Sequence, residues 1–127
     1  MLHRLLVAAV AAVTVAAPAL AQVPRHFPHD ALRGTIAFGP MPEITLNGEP
    51  ARLSPAARIH AQNNLLELPS TLFNRKAIVN YTVGIGGLVN EVWILRPDEL
   101  AKSPWPTTAD EASRWRFDPA AQTWSRR

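Results

Sequence analysis

Residues 43–53 constrain the fold of this chain more than any other stretch. Glu43-Ile44-Thr45-Leu46 and Glu49-Pro50-Ala51-Arg52-Leu53 flank Asn47-Gly48. An Asn-Gly pair accepts the positive φ angles of a type I′ turn, whose twist matches that of two antiparallel strands. A two-residue loop fixes the register. Ile44 falls opposite Ala51 on one face and Glu43 opposite Arg52 on the other, so one alignment yields an apolar pair and a charge pair. Pro50 has no N–H to give to a ladder, which places this part of the hairpin at a sheet edge.

Strand signals continue on both sides. Leu32, Gly34, Ile36 and Phe38 alternate with Arg33, Thr35 and Ala37, the period of two of a half-buried strand, and Gly39-Pro40-Met41-Pro42 stops the run. Beyond the first hairpin, Ser54-Pro55 reads as a corner, Arg58-Ile59-His60 as a short extended piece and Gln62-Asn63-Asn64 as a turn. Leu65 to Leu68 forms a strand that Pro69-Ser70 ends, and residues 70–72 start a short helical turn. A second hairpin runs from Ala77 to Val83, through Gly84-Ile85-Gly86-Gly87, to Leu88–Leu95. Closing it with those four loop residues sets Val83 against Leu88, Tyr81 against Asn90, Val79 against Val92 and Ala77 against Ile94. The opposite face carries Ile78, Val89, Trp93 and Leu95, too apolar to be left to water.

The cover expected for that face is the C-terminal extension, residues 97–127. Arg96-Pro97-Asp98-Glu99-Leu100 reads as a strand end followed by one helical turn, and Thr108 with Glu111 has capping-box spacing for a short helix. Trp115, Phe117 and Trp124 follow around an Asp118-Pro119 turn. Each tryptophan contributes about 2–3 kcal/mol on burial, enough to hold a tail without regular structure against a sheet. The expected fold is therefore mainly β: a small rolled sheet or barrel of about six short antiparallel strands over residues 32–96, with an aromatic-rich C-terminal tail containing a short helix. Residues 22–31, with Pro24 and Pro28 and no periodicity, read as a flexible arm.

The first twenty-one residues have the anatomy of a secretory leader. Met1-Leu2-His3-Arg4 is short and basic, an Ala/Val/Leu run follows, and the small residues Ala19 and Ala21 occupy the positions that signal peptidase reads. Thr14 and Pro18 interrupt the run, which argues against an uncleaved anchor. The expected address is periplasmic or secreted, with no stable membrane insertion after cleavage. About a hundred residues then remain, one domain's worth, and the sequence has no cysteine. Packing must do what disulfides do in many exported domains of this size. Thiol catalysis and thiolate metal sites are excluded.

Few residues carry a chemical signature. His26, His29 and Asp30 are the best metal-ligand types, suited to zinc or copper, but Pro28 opposes the helix that would bring the two histidines together, and a further ligand such as His60 would be needed. Incidental polar residues in an arm is the plainer reading. Gly84-Ile85-Gly86-Gly87 lacks the following helix and Lys-Ser/Thr of a phosphate loop and reads as a hairpin tip. No Gly-x-Ser-x-Gly elbow is present. The pairs Asp98-Glu99 and Asp110-Glu111 suit the starts of helical turns. Asn80-Tyr81-Thr82 matches a glycosylation acceptor but lies inside an expected strand. The net charge of +3 is dispersed, and the adjacent basic pairs, Arg75-Lys76 and Arg126-Arg127, make no nucleic-acid stripe. No catalytic, cofactor-binding or metal-binding residue is assigned.

Trp93, Trp105, Trp115 and Trp124, interleaved with Arg96, Arg114 and Arg116, allow a recognition surface for an envelope protein, a peptide or a glycan. The competing reading is a secondary core. The stretches Leu46-Asn47-Gly48-Glu49-Pro50-Ala51-Arg52-Leu53-Ser54-Pro55, Val79-Asn80-Tyr81-Thr82 and Val92-Trp93-Ile94-Leu95-Arg96-Pro97 resemble those of small exported proteins of Gram-negative proteobacteria with no assigned activity. That resemblance implies a periplasmic address and a compact fold, and it implies no catalytic residues. The expected function is a non-enzymatic periplasmic domain that binds or stabilises another envelope component. The alternatives are a hydrolase-like enzyme whose site is not visible in sequence and weak zinc or copper binding through the arm.

Overall fold

The computed structural model describes residues 23–126, and the leader read in residues 1–21 lies outside them. In chain order the elements are β1 Leu32–Phe38, β2 Glu43–Leu46, β3 Glu49–His60, β4 Leu66–Glu67, β5 Lys76–Val83, β6 Val89–Ile94, α1 Pro97–Leu100, α2 Ala109–Arg114, β7 Arg116–Asp118 and β8 Thr123–Ser125. Short 3-10 turns at Pro69–Leu72 and Ile85–Gly87 precede β5 and β6. β1 pairs with β2 and β5, β5 with β6, β6 with β3, and β3 returns to β2. Five strands therefore close into a Greek-key barrel, the arrangement of OB-type domains, while β4 lies beside the far end of β3. The expected barrel is present, with one correction. β3 and β6 run parallel, a pairing between distant segments that hairpin reasoning cannot supply.

The first hairpin takes the register its turn dictates: Glu43 opposes Arg52 and Ile44 opposes Ala51. Asn47 and Gly48 adopt φ of 53° and 83°, and Arg52 Nε lies 3.0 Å from Glu43 Oε1. Asn47 also ties the turn to β1, since its side-chain oxygen accepts from the Thr35 N–H at 2.9 Å and its own N–H donates to the Thr35 carbonyl. Gly34 makes room for it: a Cβ there would sit 2.9 Å from Asn47 Oδ1. Ser54-Pro55 does not break the chain. β3 continues through it, and its pairing with β6 is irregular between Leu53 and Arg58, where a proline removes no needed donor.

The second hairpin differs from its expected register by two residues. Val79 opposes Ile94 and Tyr81 opposes Val92, and a further shift beside Val83 sets it against Val89 instead of Leu88. The 3-10 turn takes up part of the loop, and the bulge reverses the facing of the residues beyond it. Val89 accordingly joins Ile36, Phe38, Ile44, Leu53, Ile59, Leu72, Val79, Tyr81 and Val92 in the barrel core. Asn80 is fully buried in β5 and accepts from Arg33 Nε, so the Asn80-Tyr81-Thr82 motif is interior strand.

A second core covers the outside of the barrel. Trp93 and Leu95 are buried there with Phe27, Ala31, Trp105 and Trp124. Phe27 meets the rings of Trp93 and Trp105 edge-on, with centroids 5.5 and 5.8 Å apart, the preferred geometry of aromatic pairs. The tail thus packs on the sheet, though on only two of the four residues of the face expected to need cover, Trp93 and Leu95. Val89 points inward, and Ile78 is 45% exposed. The tail also carries more structure than expected, because β7 and β8 form a hairpin that sets Phe117 against Trp124. Thr108 caps α2 by accepting from the Glu111 N–H, as the spacing predicts.

The described part of segment 22–31 has no strand or helix, as its prolines require, but the expectation of a loose arm is corrected by its packing. Arg25, Phe27 and Ala31 are buried. Arg25 Nε and Nη2 both donate to the Glu99 carboxylate, and its remaining donors reach the carbonyls of Ala61 at 2.9 Å and Ile94 at 2.8 Å. A planar guanidinium with five donors satisfies three partners, on α1, on β6 and just past the end of β3, at once.

Candidate functional site

The barrel brings the end of β1, the end of β3, the start of β5 and the end of β6 to one rim. There Phe38, Ala61, Leu72, Ala77, Ile78 and Ile94 line a groove of about 640 Å³, with Arg75, Lys76 and Glu67 among its polar wall residues. Leu65, Leu66 and Leu68 belong to the segment that contributes Glu67, and they stand 67%, 60% and 69% exposed, with Phe73 at 50%. A two-residue strand such as β4 has too little core-facing surface to bury them. Scattered single leucines on a surface need no explanation; a run of three with Phe73 beside an apolar groove does.

A second depression of about 600 Å³ shares Gln62 and Asn63 with the first, so the turn after β3 separates the two. Its walls include Arg25, His26, His60, Glu91, Trp93 and Arg96. The His60 ring stacks on Trp93, with centroids 5.4 Å apart and planes 9° from parallel, and its Nε2 lies 2.7 Å from Glu91 Oε2. When Glu91 is ionised it can only accept, and the contact is then made by the tautomer of His60 that carries its proton on Nε2. His60 Nδ1 is buried without a partner. Arg96 donates to Asp98 through Nε at 3.1 Å, and that bond first of all holds the Asp98 carboxyl below its usual pKa and raises that of Arg96.

The structure separates the histidines considered as metal ligands. His26 lines the polar depression with His60, whereas His29 and Asp30 line a different, aromatic pocket. Among the described residues no group of three His, Asp or Glu side chains gathers to hold an ion. Gly84–Gly87 is a hairpin tip, with Gly86 and Gly87 both at φ 75° and Ile85 fully exposed. The tail tryptophans are mostly interior. Trp105 and Trp124 are buried, Arg33 lies 4.9 Å over the Trp105 ring, and burial depresses the pKa of Arg33, opposed by Glu99. Arg96 is buried beside Glu99 and pairs with the exposed Asp98, and Arg114 pairs with Asp110 at 2.9 Å.

Sequence reasoning identified none of the end-of-barrel surface. Leu65–Leu68 reads as a strand, and a strand of leucines is ordinarily interior. The signal for exposure was the Pro69-Ser70 stop directly after it, which leaves no length for a partner strand on the far edge.

Fold and surface together define a small closed β-barrel with a fastened aromatic flank and an open, leucine-bearing end. No protein-family model, no curated protein and no solved structure matches the chain. The roles below rest on its own geometry.

Proposed function

We propose that this protein is an exported, non-enzymatic binding module that recognises another envelope component through the open end of its barrel. The observation that carries the reading is the exposure of Leu65, Leu66 and Leu68, in the segment whose Glu67 lines the groove with Ile78, Ile94 and Leu72. Solvent-exposed apolar runs of this kind are characteristic of protein-binding surfaces. Arg75 and Lys76 on the same wall favour a protein segment that offers apolar anchors flanked by acids. Export is supported by the leader anatomy of residues 1–21. No helix among the described residues is long and apolar enough to cross a membrane.

Crosslinking and co-purification from intact cells test this reading. Leu66→Asp with Leu68→Asp should remove the co-purifying envelope protein while leaving thermal stability within the small change typical of surface substitutions. Substituting Trp115 in the tail should leave capture intact. Undiminished capture by the leucine variant would refute the assignment.

One observation favours a hydrolytic alternative, the His60–Glu91 pair in the polar depression. Its lining residues include no serine, threonine or cysteine, so water would have to serve as nucleophile. A hydrolytic activity lost in His60→Gln and retained in the leucine variant would favour that alternative.

A further inference from the structure

β4 pairs with β3 alone and ends the sheet. Its register sets Glu67 opposite Ile59 and Leu66 opposite His60, and the Ala61 N–H donates to the Leu65 carbonyl at 2.8 Å. In an antiparallel pair the backbone groups of successive residues face opposite sides. Leu65 and Glu67 therefore turn their N–H and C=O groups toward β3, while Leu66 and Leu68 turn theirs away from it. The Leu68 carbonyl accepts from the Thr71 N–H and hydroxyl. The N–H and C=O of Leu66 and the N–H of Leu68 face a side on which no strand of the described residues lies.

A free edge is a template for another strand, and proteins ordinarily blunt one with lysine, proline, a bulge or a covering loop. Here the side chains beside the free groups are the exposed Leu66 and Leu68, and the proline comes only after them, at Pro69. Backbone groups in ladder geometry between exposed leucines call for an extended chain. A helix bonds its own backbone and offers these three groups nothing.

Glu67 narrows the sequence of that chain. It lies between the two leucines and lines the groove with Arg75 and Lys76, yet among the described residues it joins no ion pair. The residue opposite it in an added strand stands about 5 Å away, Cβ to Cβ, where an opposite charge is favoured and a like charge is not. A second copy of this chain does not supply such a strand. Residues 61–70 contain no Lys, Arg or His, and pairing β4 with itself about Glu67 would oppose two carboxylates.

We infer that β4 takes up an extended segment of the partner protein as an added strand, and that this segment carries a Lys or Arg opposite Glu67 between apolar residues opposite Leu66 and Leu68. The inference rests on the leucine surface being the binding surface and adds how that surface reads its partner. The acids that Arg75 and Lys76 favour fall outside this triplet.

The test follows the backbone amide resonances of the intact protein while acetyl-Thr-Val-Lys-Val-Thr-amide or its Lys→Glu counterpart is added. With the lysine peptide the Leu66 and Leu68 amides should move downfield and saturate, while those of Leu65, bonded to Asn63, and of Glu67, turned toward β3, hold nearly still. The glutamate peptide should bind about fivefold more weakly, and Glu67→Lys should reverse the order of the two. Leu66→Pro deletes one outward donor and Leu66→Ala keeps it, so the proline variant should bind about fivefold more weakly than the alanine variant. If the proline variant does not fold, the amide pattern and Glu67→Lys still decide. Strand addition is overturned if the four amides respond alike or not at all, if Glu67→Lys leaves the order of the peptides unchanged, or if the folded proline and alanine variants bind equally. It is also overturned if the Leu66 and Leu68 amides shift with protein concentration alone, which would identify a second copy as the occupant. Should any of these occur while Leu66→Asp with Leu68→Asp still loses the envelope protein, the leucine surface stands and only the added strand falls.

Discussion

Arg25 is the residue whose loss should be felt most widely. Its guanidinium donates twice to Glu99 and once each to the Ala61 and Ile94 carbonyls, and both side chains of the ion pair are 6% exposed. Arg25→Met keeps the length and apolar stem but strands a buried carboxylate and two carbonyls. Breaking a buried pair from one side costs about 3–5 kcal/mol. Here Arg96 offsets part of that, since its backbone N–H donates to Glu99 Oε1 at 2.9 Å and its Nη2 lies 3.6 Å from Glu99 Oε2. The lower end, about 3 kcal/mol, is therefore expected. At about 4–8 °C per kcal/mol for a domain this size, the melting temperature should fall by about 12–24 °C. Calorimetry on Arg25→Met, Glu99→Gln and the double variant provides the assay. The double variant holds no unpaired buried charge at this point and should recover at least about 1.5 kcal/mol relative to the sum of the singles. A loss below about 1 kcal/mol in Arg25→Met, or strict additivity, would show that the arm is not fastened by this pair.

Two further outcomes follow from the hairpin and from the α1 corner. Asn47→Ala removes both a residue tolerant of positive φ and the acceptor for the Thr35 N–H, and chemical denaturation should show a loss of about 1–2 kcal/mol, whereas Asn47→Gly should restore the turn and lose only the hydrogen bond. Asp98 has a folded pKa below its ordinary value, so its contribution is present above the unfolded value near pH 4 and lost as pH falls through the folded one. Asp98→Asn should lower stability slightly at neutral pH, by a small amount because the side chain is largely exposed, and the difference from the parent should vanish as pH falls below about 4.

What the sequence disclosed followed its locality. The Asn47-Gly48 turn fixes its own register, because two residues of positive φ leave one way to pair Glu43 with Arg52. The second hairpin has a loop that folds on itself as a 3-10 turn, and no residue in Gly84–Gly87 specifies how many of the four stand outside the ladder. Its inner residues Val79, Tyr81 and Val92 were legible from alternation alone, while Val89 changed sides at a bulge that alternation cannot anticipate. The β3–β6 pairing and the Arg25–Glu99 bond join segments far apart in the chain, and nothing at Arg25 distinguishes it from a solvated surface arginine. The candidate site was the least legible part. Its leucines differ from core leucines only by lacking a neighbour.

The backbone N–H of Phe27 donates to the side chain of Gln122, across 95 residues. All the barrel strands precede Gln122 and Trp124 in the chain, so the ring has every pairing partner in a segment that lacks the roof over Phe27 and Trp93. The roof therefore joins both ends of the described chain, a contact of the long-range kind that slows folding. Cutting the chain just before β7 would leave an intact barrel wearing a sticky tryptophan face, a species whose fate in the cell would be decided by chaperones and proteases.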